Sequence, residues 1–117
     1  MDLIMLMDFG IEYAEGVERC ANNAALYEKL LKRYADEEQR TAELQYAMQN
    51  KDYDTLFSIV HEIKGVAGNL GIVPLYDAAS DVVLMLRGKK YDCLEDAVNE
   101  LTAVNEAAVS CIHAALR

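Results

Sequence analysis

The 117-residue chain has no tryptophan, a single proline and only six glycines. So few chain-breaking positions argue against a loop-rich or all-β fold. Cysteine occurs three times, as Cys20, Cys93 and Cys111. The number is odd and there is no Cys-x-x-Cys pair or zinc-ligand spacing, so neither a disulfide scaffold nor a structural metal site is expected. Reduced, mostly buried thiols in a cytoplasmic protein fit this usage. Positive charge is scarce: 11 Lys and Arg stand against 20 Asp and Glu, a formal net charge of −9. Nucleic acid and anionic membrane both need a basic face, so neither is an expected partner. Acidity by itself more commonly serves solubility than recognition.

The apolar start of the chain includes Leu3, Ile4, Met5, Leu6, Met7 and Phe9, with Asp2 and Asp8 but no basic residue. It is too short to cross a bilayer and lacks the positive start of a signal peptide. A short helix packed on the rest of the protein is the expectation, not a membrane anchor.

Helix formers dominate what is present, and hydrophobic residues make up 53% of the chain against 26% charged, a globular balance. One domain over residues 1–117 is expected. A short helix is predicted from Ile11 to Cys20, followed by an Asn22-Asn23 turn able to cap the next helix. That helix runs from Ala24 to about Asn50 on a stripe of Tyr27, Leu30, Leu31 and Tyr34 continued by Thr41, Leu44 and Met48. Glu37 and Glu38 interrupt the stripe, so a bend or break is expected near Ala35 to Gln39. Asp52 caps a helix from Tyr53 to Leu70, and Gly71 suits the left-handed residue that ends it. Pro74 fits the first turn of a helix from about Val73 to Arg87, which buries Leu75, Ala79, Val82 and Leu86 and stops at Gly88. The last helix runs from about Cys93 to Leu116, with Leu94, Val98, Leu101, Val104, Ala108, Cys111, Ile112 and Ala115 inward. Short connections between long helices make neighbours antiparallel. The fold class is therefore all-α, an up-down-up-down four-helix bundle with a short N-terminal helical extension.

At about 100° per residue, Leu56, Ile59, Ile63, Val66, Ala67 and Leu70 gather on one side of the Tyr53–Leu70 helix. His61 points away from that side. Around it lie Phe57, Lys64, Gly65 and Gly68. Taken alone, an exposed histidine is usually an ordinary surface residue, and an exposed lysine a solvated one. Two glycines inside the helix, however, cost about 1 kcal/mol each relative to alanine. Burial against a neighbouring helix does not readily explain glycines on the outward face. Bare backbone beside an exposed imidazole lets another protein come close to the ring.

The run His61-Glu62-Ile63-Lys64-Gly65-Val66-Ala67-Gly68-Asn69-Leu70-Gly71 resembles the His-x-x-Lys-Gly signature of histidine phosphotransfer (HPt) domains, most of all the modules of bacterial hybrid sensor kinases. Tyr27 to Leu31, Asp52, Gly71, Leu75 and Ala79 extend the likeness over about Gly10 to Gly88. Val83 departs from it, since many members carry Glu there. Asp36 to Arg40 looks slightly longer than in some members, and the closing helix matches only in its apolar pattern. The resemblance implies that His61 is the phosphoacceptor, through Nε2, with Lys64 offsetting phosphoryl charge. It implies that Gly65 and Gly68 keep the approach clear, and that Phe57 and Asn69 are candidates for docking. The implied partners are response-regulator receiver domains and a hybrid sensor histidine kinase. The implied role is that of a monomeric phosphocarrier, not an enzyme. It has no cofactor of its own, Mg²⁺ being held by the receiver. Two other readings stand beside this one. A receiver-binding adaptor would carry no phosphate and would have no need of the imidazole. A metal-binding bundle needs inward Glu-x-x-His sets, whereas His61 points outward and His113 reads as a structural or surface residue.

Overall fold

A computed structural model describes residues 1–37 and 40–116. Among these residues the chain is helical: α1 Leu3–Phe9, α2 Tyr13–Arg19, α3 Ala24–Glu37, α4 Arg40–Gln49, α5 Tyr53–Leu70, α6 Val73–Arg87 and α7 Leu94–Ala115. The bundle has four sides, α3 with α4, α5, α6 and α7, and successive sides alternate in direction. The helix pair α5–α6 shares the most extensive contact, followed by α6–α7, while α3 and α4 close the ring against α7 and α5. The bend expected between Ala35 and Gln39 centres on Glu38 and Gln39, which lie outside the described residues. On either side of them, Ala35 is buried in α3 and α4 begins at Arg40.

The helix boundaries follow from local chemistry. Asn23 Oδ1 accepts the Leu26 N–H at 3.0 Å, and Asp52 Oδ1 accepts the Thr55 N–H at 3.2 Å, each satisfying a donor that the first turn leaves open. Gly71 takes the left-handed conformation at φ 74° and closes α5. Pro74 stands in the first turn of α6. At the other end of α6 the left-handed residue is Lys89, at φ 52°, while Gly88 keeps helical angles. The turn after Gly88, and not Gly88 itself, therefore takes the unusual conformation.

The core includes Leu31, Leu44, Leu56, Leu75, Val82, Leu94, Val98, Leu101, Ala108 and Ile112, all buried. Val83 is buried as well, at 1% exposure, so an apolar residue is what the packing of α6 accepts at this departure from the family pattern. On α7, Asn105 is buried where Val104 was expected to be, and Val104 and Cys111 are only partly covered. Asn105 Oδ1 accepts a hydrogen bond from the Tyr34 hydroxyl, which offsets the cost of burying the amide. Burial also pushes the Cys111 thiol pKa up, keeping it in the unreactive form.

The N-terminal helices are tied to the end of the bundle where α5 turns into α6. Ile11 and Ile72 form an antiparallel bridge, with Glu12 N–H donating to Gly71 C=O at 2.8 Å and Val73 N–H to Gly10 C=O at 3.1 Å. α1 lies on α7, with Leu6 fully buried and Asp2 N–H donating to Ala115 C=O at 2.8 Å. α2 is seated by Tyr27, whose ring meets Tyr13 edge-on and whose hydroxyl donates to Leu70 C=O at 2.5 Å. Burial raises the Tyr27 pKa far above the phenolic range, so this donor stays protonated. Gly16 of α2 lies against the same ring, and a Cβ there would stand 2.1 Å from Tyr27 Cε1. That distance requires the ring or the helix to move. Gly16→Ala is therefore expected to lower stability in chemical denaturation by about 1–3 kcal/mol, the cost of overpacking a filled site. An unchanged denaturation midpoint would show that α2 is not held by this contact.

Candidate functional site

Six residues of α5 form its buried side: Leu56, Ile59, Val60, Ile63, Ala67 and Leu70. This corrects the stripe read from sequence at two positions. Val60 is fully buried, and Val66 is 40% exposed. The cause is the neighbours of α5. Contact with α6 extends the covered sector round to Val60, while on the α3–α4 side a groove leaves Val66 open. The buried side holds the helix firmly. Each large aliphatic residue buried contributes about 1.5–3 kcal/mol, which outweighs the roughly 1 kcal/mol cost of each helical glycine on the opposite side.

His61 is exposed, opposite the core. Its ring lies on that of Phe57, one turn earlier, with centroids 5.8 Å apart and planes 27° apart. Phe57 is itself half-buried and packs against the core, so it is less of a free docking residue than the sequence led us to expect. Its outer face is covered by Arg87 from the end of α6, whose Cζ lies 5.6 Å from the ring centre. Phe57 thus buttresses the imidazole from one side. Gly65, one turn beyond His61, is different: a Cβ there would meet nothing within 4 Å. The space beside the imidazole is open to an incoming surface.

Lys64 is half-buried, and its ammonium reaches across to α6, 5.5 Å from the centre of the Tyr76 ring. Gly68 belongs to the same contact. A Cβ at Gly68 would lie 3.5 Å from the Tyr76 ring atoms, so this position faces an aromatic from the next helix at ordinary contact distance and does not border empty space as Gly65 does. The sequence reading missed Tyr76 and Arg87. Each stands on α6 where the antiparallel packing brings it beside a residue of α5, a relation that no spacing within α5 reveals.

Asn69 is exposed on the other flank of α5, apart from Lys64 and Tyr76. Its backbone carbonyl lies 3.4 Å from Arg19 Nη1, and it lines the groove of about 420 Å³ with Leu30, Tyr34, Ile63 and Val66. Arg40 and Glu62 pair across that groove, and this hydrogen bond is the main reason the Arg40 guanidinium holds its proton more tightly than usual. His113 lies on α7 with Nε2 2.9 Å from Asp36 Oδ1. Asp36 also pairs with Lys32 at 2.5 Å, and these two hydrogen bonds lower its pKa, that from Lys32 most. Among the described residues no three His, Cys, Asp or Glu side chains come together as a metal-holding group. No described helix is long and apolar enough to cross a membrane.

The arrangement can present one nucleophilic nitrogen, with a cation on the same helix and clear space beside it. A family model described as Hpt domain matches residues 16–111 of this chain. No curated protein and no solved structure gives a significant match. The chain belongs to the Hpt domain family, whose members carry phosphoryl groups by histidine phosphotransfer within phosphorelays.

Proposed function

We propose that this chain is the phosphocarrier of a multistep phosphorelay, taking a phosphoryl group from the aspartate of one receiver domain onto His61 and passing it to another. The observation that supports this most directly is the exposed imidazole of His61 beside the open space at Gly65. In the forward step the Nε2 lone pair attacks phosphorus. The P–O bond to the receiver aspartate breaks, its electron pair returns to the carboxylate, and the His61 proton stays on Nδ1. Transfer to the next receiver reverses this sequence. The receiver contributes the aspartate, its acidic pocket and Mg²⁺. This chain contributes a fixed nucleophile and charge compensation from Lys64, so catalysis is mainly positioning and electrostatics. Gly65 admits the receiver, and Gly68 faces the Tyr76 ring of α6. Phe57 supports the imidazole, and exposed Asn69 is taken to meet the edge of a docked partner. A carrier must release each partner, which fits a monomer with a transient interface below about 1,200 Å². Its place is the cytoplasm, with a hybrid sensor histidine kinase as the upstream source.

Incubation with a panel of phosphorylated receivers tests the proposal. Acid-labile label should appear on the chain with at least one receiver and be absent from His61→Gln. Label that survives in the Gln variant, or receiver binding without any transfer to the native chain, would contradict it. The latter outcome would describe an adaptor.

Gly65 allows a second test in which stability and activity part company. Because a Cβ there meets nothing, Gly65→Ala should stabilise the helix by about 1 kcal/mol. A longer side chain should fold as well as alanine yet obstruct the approach. Gly65→Gln is expected to slow transfer by about tenfold or more through misplacement of the reacting groups. Transfer at the native rate by a folded Gly65→Gln protein would show that nothing docks over this face.

A further inference from the structure

We propose that Tyr76 is a positioning residue for phosphoryl transfer, holding the Lys64 ammonium in place through its ring. This inference rests on the reading of His61 as phosphoacceptor. It stands on three observations from two helices. The Lys64 ammonium lies 5.5 Å from the Tyr76 ring centre, within the range of a cation–π contact. The ring lies over Gly68, where an added Cβ would be in ordinary contact with it at 3.5 Å, so Tyr76 is packed against α5 beside the lysine. Lys64 is half-buried although it belongs to the flank of α5 that carries His61, as expected of a side chain laid against a neighbour and not extended into water.

The physical need is plain. A lysine has four rotatable side-chain bonds, and an unrestrained ammonium one turn from His61 spends most of its time elsewhere. Phosphoryl transfer gains from charge that is in place before the reaction, since reorganising it during the step weakens its effect. An aromatic face restricts the cation without neutralising it, as a carboxylate would. Tyr76 is 40% exposed, a position where a large aromatic serves no evident core purpose. Its hydroxyl is not required for this role. The ring is.

The test is a double-mutant cycle in transfer from a phosphorylated receiver, using the full chain. Tyr76→Leu should slow transfer by about two- to fivefold, the fold-change expected of an exposed cation–π contact, while Tyr76→Phe should retain the native rate. In a Lys64→Ala background, Tyr76→Leu should produce no further change, because its effect runs through the lysine. A loss of the same size in both backgrounds would mean that Tyr76 acts on docking or folding and would overturn the proposal, as would unchanged or faster transfer in Tyr76→Leu. Lys64 ε-methylene shifts in NMR give a readout independent of phosphorylation. They should show a ring-current displacement in the native and Phe proteins that disappears in the Leu protein. If no receiver labels the native chain, the phosphocarrier reading fails, and these shifts still decide whether the ring holds the lysine. If the native chain is labelled and the cycle shows no coupling, only the role of Tyr76 fails.

Discussion

The structure depends on a conflict imposed on α5. Under the proposed function the same imidazole has to be shown to more than one protein, yet the helix beneath it must not move. α5 meets both demands by dividing its circumference. Leu56, Ile59, Val60, Ile63, Ala67 and Leu70 lie in the core, and His61 and Gly65 lie outside. The buried side supplies enough stabilisation to bear two glycines in mid-helix, which an isolated helix would not tolerate well. α6 serves both purposes. It covers the flank of α5 and brings Tyr76 and Arg87 against Lys64 and Phe57, so the cation and the aromatic support of the site are set by helix packing and not by loops.

The two glycines of α5 show how residues that look alike in sequence come to differ. Both fall near His61, and the sequence pattern alone gives both the task of clearing a path. Only Gly65 borders open space. Gly68 is filled from α6 by the Tyr76 ring. A similar distinction separates Lys64 from Asn69. They are near neighbours in the motif, but Lys64 turns towards α6, and Asn69 towards the groove beside α3 and α4.

Much of the fold was legible in the sequence because it is decided over three or four residues. The Asn23 and Asp52 caps, the left-handed Gly71 and the placement of Pro74 each depend on near neighbours, and each appears where the local pattern puts it. The outward direction of His61 was legible too, since one helical period fixes it. Properties that depend on a second helix were not. The covered sector of α5 is turned by contact with α6, which is why Val60 replaces Val66 in the core. Tyr27 looked like one more residue of a stripe, but its ring and hydroxyl join α2, α3 and the end of α5. Gly16 carried no motif to single it out. The bridge between Ile11 and Ile72 joins residues about sixty positions apart in the chain, beyond any local signal.

The central claim is that one particular nitrogen of one histidine forms the bond to phosphorus. Nitrogen-15 NMR of the imidazoles, recorded before and after transfer from a phosphorylated receiver, measures this directly. The account predicts that a single ring changes, that it is His61, and that the phosphorus-bound nitrogen is Nε2 while Nδ1 keeps its proton. A phosphorylated His113, or a His61 spectrum unchanged in a chain that carries label, would contradict it.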